Sequence, residues 1–337
     1  MDGKQLLMKH FQVKAERVPF DSEAMCYESN GILYLIIDVT KKEQKYLYEL
    51  HQMSRHMIGQ GEKGVATFLP DQSGHFLLTE EKKEFVVLAS RRMSPLTTFT
   101  GGELAKFHLR GQSLPLRVQH ASEFGSWKDK WEQRLENMEK AVGKLVKERN
   151  DSFARLIIES FPYYMGLAEN AIQYVADTEM DESPGEWDVG VICQMPFRET
   201  AWTQEPAIHH PFNWIFDHAA RDVAEWIRLR YWQGSLLYRS NLAVFIRQYE
   251  QMRPLSPFAW RLIYGRLLFP AHYFDCAESY FSAASFHLKK ENEEKLKKYM
   301  TYSHEHEKFL AFFYEQAGVP VRQFNLPKIP WLGSTIS

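Results

Sequence analysis

Three kinds of side chain in this sequence could do chemistry: paired histidines for a metal, carboxylates for proton transfer or Mg²⁺, and glycine-rich turns for phosphate. His209 and His210 are adjacent, so on a strand they face opposite ways. His304 and His306 are two apart and diverge on a helix, where a shared metal needs a spacing of three or four. His51 and His56 are five apart, and neither HExxH nor CxxC occurs, so no metal site is expected. GxSxG is absent too, which leaves a hydrolase elbow unsupported. Carboxylates remain. Phosphoryl transfer needs a lysine for the nucleotide phosphates and a helix glutamate to orient it. It also needs an aspartate to take the acceptor's proton, and an asparagine and a second aspartate for Mg²⁺.

Such groups need elements to position them. Residues 24–29 and 32–39 flank Asn30-Gly31, a strong hairpin signal because both turn residues take φ > 0. Thr40-Lys41-Lys42-Glu43 spells a capping box and predicts a helix with Leu47, Leu50, Met53 and Met57 on one face, ended by Gly59. Strands follow at 65–69, 75–79 and 84–89. The first hairpin carries neither GxGxxG nor GxxxxGK[ST]; the glycine run at 59–64 follows the helix and reads as a flexible connection. Thr100-Gly101-Gly102-Glu103 predicts a helix with Leu104, Phe107 and His108. Further helices are predicted at 127–149, 153–161, 162–176, 219–233, 236–252, 257–268, 271–284 and 291–317, with Pro162 at a helix start and Gly318 closing the last. The helices at 127–149 and 291–317 have charged outer faces that read as solvated. Residues 177–188 read as an acidic loop, and 189–194 and 210–216 as two short strands. The tail has three prolines and predicts an extended segment packed through Ile329 and Trp331. The sum is an α+β fold with the two-lobed plan of kinases: a β-rich lobe over 1–95, a helical lobe over 96–318 and a tail over 319–337.

Composition narrows the partners. The chain has 337 residues, 45% hydrophobic, enough for a sizeable core. A net charge of −2 disfavours nucleic acid or an anionic membrane as partner. Three widely spaced cysteines argue against a disulfide framework and for a reducing compartment. The N-terminal stretch has no signal-peptide pattern, and no apolar run reaches the roughly 18 residues a membrane span needs. Aromatic residues make up 14%, some of them available for a protein–protein surface.

Nearly the whole chain resembles the spore coat proteins of the CotS type, most closely the YutH type, relatives of aminoglycoside phosphotransferases and choline kinases. The likeness is carried by GILYLIIDVTKKEQKYLYELHQM, GGELAKFHLRGQ, FNWIFDHAARDVAEWIRLRYW and PLSPFAWRLIYGRLLFPAHYF, the third being the most specific. The resemblance implies a kinase-like fold and positions for each catalytic group. The strand lysine falls at Ile36 or Ile37, and Lys41 belongs to the helix start. Glu49 falls at the orienting glutamate and, without a lysine, reads as a solvated helix residue. The loop His-x-Asp-x-x-x-x-Asn falls on 194–201, after the strand Val191-Ile192-Cys193. Gln194 then replaces the histidine, Pro196 the base and Ala201 the asparagine. Proline accepts no proton and alanine holds no Mg²⁺. Realigned, the loop offers Glu199 as base. Matching Arg221-Asp222 to the family's Arg-Asp puts His210 or Phe212 at the metal position and makes Asp222 structural. Otherwise Asp217 is the metal aspartate; it also reads as the N-cap of the helix opening at Ala219-Ala220.

The resemblance further implies a pseudokinase component of the endospore coat, made in the mother-cell cytoplasm and deposited on the forespore. It would work through contacts with other coat proteins, with no catalytic, cofactor or metal residues intact and no cofactor. The rivals are a phosphotransferase with displaced catalytic groups and a pseudokinase that binds a metabolite in its cleft.

Overall fold

The computed structural model describes residues 2–20, 24–148, 152–234, 238–282, 285–327 and 329–334. The chain divides into two compact units. One comprises Met1–Glu123, Gly190–Ala219 and Gln248–Arg253; the other comprises Phe124–Val189, Ala220–Arg247 and Pro254–Ser337.

The first unit is built on a six-stranded antiparallel sheet. Its strands are β1 (Glu16–Arg17), β2 (Met25–Ser29), β3 (Ile32–Asp38), β4 (Thr67–Phe68), β5 (Leu77–Glu80) and β6 (Lys83–Arg91), in the order β1-β2-β3-β6-β4 with β5 also on β6. Asn30 and Gly31 take φ of 51° and 73° in the two-residue turn that sets the β2–β3 register, as their types require. A helix that the sequence did not reveal, α1 (Gly3–Phe11), covers one face. Its Leu6 and Leu7 pack with Tyr27, Tyr34, Ile36 and Val87.

After β3 comes α2 (Gln44–Gly59). The expected capping box at Thr40 does not form: the helix starts at Gln44, and its N-cap Glu43 makes no side-chain cap bond. The Thr40 hydroxyl instead donates to Asp38 and accepts the Glu84 N–H, tying the ends of β3 and β6. The box at Thr100 does cap α3 (Gly101–Arg110), accepting the Glu103 N–H. A separate hairpin joins β7 (Gly190–Gln194) to β8 (Trp214–His218). At its start a side chain has no room, since a Cβ on Gly190 would meet the Phe216 ring at 2.4 Å. Gly190→Ala should therefore lower stability by about 2 kcal/mol, as overpacking does, measured by urea unfolding; an unchanged midpoint would show the ring can move aside.

The second unit is helical: α4 (Trp127–Glu148), α5 (Ser152–Asp181), α7 (Ala220–Trp232), α8 (Tyr238–Glu250, entering the first unit at Gln248), α9 (Pro257–Leu268), α10 (Ala271–Ser282), α11 (Phe286–Thr301), α12 (Ser303–Gln316) and α13 (Pro330–Ser334). The two helices expected around Pro162 are one 30-residue helix, α5. Its buried stripe (Ile157, Phe161, Tyr164, Ala168, Ala171 and Val175) runs across the proline, and that packing outweighs the roughly 3 kcal/mol a proline costs in a helix. The helix also absorbs the first part of the expected acidic loop, to Asp181. Conversely, the single helix expected at 291–317 breaks at Tyr302, where the Thr301 hydroxyl bonds back to the Lys297 carbonyl. Gly318 ends α12 with φ 72°, as anticipated. The tail is not wholly extended: it forms α13, whose Trp331 indole donates to Asn170 on α5. The expected helix limits at 149, 236 and 284 lie outside the described residues. Among the described residues, no helix is long and apolar enough to cross a membrane.

Candidate functional site

Where a phosphate-binding lysine would stand, β3 is aliphatic. Ile36 packs with α1, and Ile37 lies on the opposite face by strand alternation. Lys41 is exposed in the turn that follows. The carboxylate at the strand's end, Asp38, is held down to about 2 by the hydroxyl and N–H of Thr40.

Glu49, expected in solvent, is only 6% exposed. Its carboxylate accepts three consecutive backbone N–H groups, from Gln119, His120 and Ala121, at 2.9, 2.8 and 2.7 Å. Those bonds take three of the roughly four acceptor sites of the carboxylate that an orienting glutamate would offer a lysine. The same segment then reaches β8. Ala121 accepts the Phe216 N–H at 2.7 Å, and the Phe216 carbonyl accepts from Glu123 N–H at 2.9 Å and the Ser122 hydroxyl at 3.2 Å. Glu49 and the strand bearing Asp217 are thereby joined through five residues of backbone.

Asp217 is fully buried inside β8. It is not a helix cap, because the strand continues through His218 and α7 starts at Ala220. One carboxylate oxygen accepts the His218 N–H at 2.7 Å. Opposite on β7, the Cys193 thiol donates to the His218 carbonyl at 3.5 Å. Valine, cysteine and alanine side chains (Val191, Cys193, Ala219) surround Ile215 in a small core.

Residues 194–201 leave β7 and form the beginning of the connection to β8, which holds a four-residue helix, α6 (Thr200–Thr203), at its centre. Gln194 is buried in the strand, and Pro196 and Phe197 begin the connection. Phe197 packs near Phe99 and Trp202. Glu199 precedes α6, and its carbonyl accepts the N–H groups of Trp202 and Thr203. His209 and His210 follow, both buried, and burial lowers them to about 3 and about 4. His209 packs on Phe107 and Trp202, and His210 near Phe20, so the pair diverges as anticipated. His306 is buried beside Tyr231 and Phe309, while His304 is half-exposed, 3.6 Å from Glu307.

Asp222 belongs to the second unit, fully buried in the first turn of α7, where a carboxylate suits the helix dipole. One turn on, Glu225 meets Arg228 and Arg266. Burial would push Glu225 up, but the two guanidinium groups outweigh it and hold it at about 2. The burial of Glu49 had a signal in the sequence: it lies four residues before Met53, on the helix's apolar stripe. The ion pair of Glu62 with Arg110 had none, because its partners are far apart in the chain.

Residues 4–313 match the family described as "Spore coat putative kinase YutH". The chain belongs to the YutH family of spore coat proteins. A relative in Bacillus subtilis, the endospore coat-associated protein YutH, is 35% identical over 310 residues, covering 91% of each chain. Among solved structures, an aminoglycoside phosphotransferase from Alicyclobacillus acidocaldarius is similar with a TM-score of 0.64 and 16% identity, over 90% of this chain and 92% of that one. A microcompartment-associated aminopropanol kinase is similar with a TM-score of 0.56 and 11% identity, over 88% and 96%. These likenesses assign the YutH-family chain an α+β, kinase-like fold.

Proposed function

We propose that this YutH-family protein is a catalytically silent, kinase-like component of the endospore coat that acts through contacts with other coat proteins. The observation that carries this reading is Glu49, whose carboxylate is spent on three backbone N–H groups while β3 offers isoleucine in place of lysine. A nucleotide's phosphates would meet no cation on that strand. The base and Mg²⁺ positions, aligned on 194–201, hold a proline and an alanine. The coat assignment follows the family and the coat-associated relative in Bacillus subtilis.

The test has two arms. Purified protein titrated with millimolar ATP, with and without Mg²⁺, should show no change in melting temperature; a ligand at 100 times its Kd would add about 2.7 kcal/mol, a shift of several degrees. A fluorescent fusion in a sporulating host should gather at the forespore surface and remain on purified spores. A Mg²⁺-dependent shift abolished by Asp217→Ala would overturn silence in favour of a phosphotransferase with displaced groups. A fusion absent from purified spores would overturn the coat role.

A further inference from the structure

The glycine run at 59–64 and buried His209 meet in one pocket of the first unit, apart from Glu49 and Asp217. It encloses about 260 Å³ between the connection after α2, the segment after β6, one face of α3 and the stretch that precedes β8. That is somewhat below the range of sites for drug-sized molecules. Its walls are stitched together by backbone. Gly64 accepts the His209 N–H at 2.9 Å, the His209 carbonyl accepts from Ala66 at 2.8 Å, and Trp202 accepts the Leu96 N–H at 2.7 Å. Gly64 has φ +70°, the left-handed region that favours glycine.

The lining is polar and carries both signs. Arg110 pairs with Glu62, and Lys106 pairs with Glu103 at 2.7 Å, the two cations standing one turn apart on α3. Lys63 adds a third cation. Glu62 is deep in the wall, its side chain 8% exposed. Burial raises its pKa despite Arg110. Across from it, His209 Nε2 stands 3.9 Å from a Glu62 oxygen, too far for a hydrogen bond, and His209 Nδ1 has no hydrogen-bond partner. Desolvation keeps that imidazole neutral, so the contact is not an ion pair.

We propose that this pocket binds a small zwitterion of the amino-acid class, with its ammonium at Glu62 and His209 and its carboxylate at Lys106 and Lys63. A simple anion would face Glu62 and Glu103, and a simple cation would face three cations. A molecule carrying both charges can meet a carboxylate and a cation at once without changing the pocket's net charge. Arginine has five N–H donors and lysine three, so each cation can keep its glutamate and still serve a ligand.

The experiment is a thermal-shift and calorimetric titration of the full chain with each standard amino acid at ~10 mM, a concentration at which weak sites register. Acetate and methylammonium serve as the two half-ligands. A saturable shift is expected from at least one amino acid, with neither half-ligand reproducing it. The double variant Glu103→Gln, Lys106→Gln changes only partly exposed groups on α3 and should melt like the parent without ligand, yet bind at least about tenfold more weakly. The proposal is overturned if no amino acid shifts the protein, if acetate alone does as well, or if the double variant binds unchanged. Nucleotide is absent throughout, so failure here leaves the ATP test untouched.

Discussion

Glu49→Ala is expected to lower folding stability by about 3 kcal/mol, far more than a solvated helix residue would. Three backbone N–H groups lose a charged acceptor. Water can reach those of Gln119 and His120, which are exposed, but Ala121 is fully buried and its N–H would be left without a partner. The damage should spread, because residues 121–123 also hold Phe216 in β8. Amide hydrogen exchange should accelerate at Gln119, His120, Ala121 and Phe216 together. Glu49→Gln keeps one oxygen acceptor and should fall between parent and alanine. In a kinase whose glutamate orients a lysine, the alanine change mainly removes activity. Here it should remove stability. Denaturant midpoints that agree within ~0.5 kcal/mol would show that the carboxylate is dispensable to the fold.

That residue also shows where the sequence was legible and where it was not. Local signals read correctly: Asn30-Gly31 set a hairpin, Thr100 capped a helix and Gly318 ended one. Each depends on a few neighbouring residues whose backbone preferences are intrinsic. The two-lobed kinase-like fold was legible through the family pattern. Failures came where distant partners decide. Thr40 had the sequence of a cap, but β6 offered it the Glu84 N–H, and the longer-range bond won. Pro162 looked like a helix start until a continuous apolar stripe carried α5 through it. The apolar stripe of α2 signalled that Glu49 is buried, but its partners are backbone groups seventy residues away, which no side-chain pattern announces.

The largest expected effect is loss of stability in mild acid. Among the described residues six histidines are buried, and desolvation lowers the pKa of four of them, two in each unit: His209 and His210, and His272 and His306. Desolvation lowers His209 and His306 to about 3, His210 to about 4, and His272 well below its ordinary 6.5. In the unfolded chain all four titrate near 6.5. Below that pH the unfolded chain therefore binds protons that the folded chain refuses, and stability falls as pH falls from about 6.5 towards about 4. Each histidine costs about 1.4 kcal/mol per pH unit, so at pH 5 each has removed about 2 kcal/mol and each unit about 4. Together that approaches the 5–15 kcal/mol that typically holds a protein folded. Buried Glu225, held at about 2, adds its own loss only below the ordinary carboxylate range near 4.5, so the histidines own the window between pH 6.5 and 5. Urea midpoints measured from pH 8 to 5 should drop steeply, and the protein should be unfolded or partly unfolded by pH 5. His210→Leu separates this cause from general acid sensitivity. Neither ring nitrogen of His210 has a hydrogen-bond partner, so the change should cost little at pH 8 and should make the slope shallower by about one proton. A midpoint flat from pH 8 to 5, or a slope that His210→Leu leaves unchanged, would show that these imidazoles accept protons in the folded state.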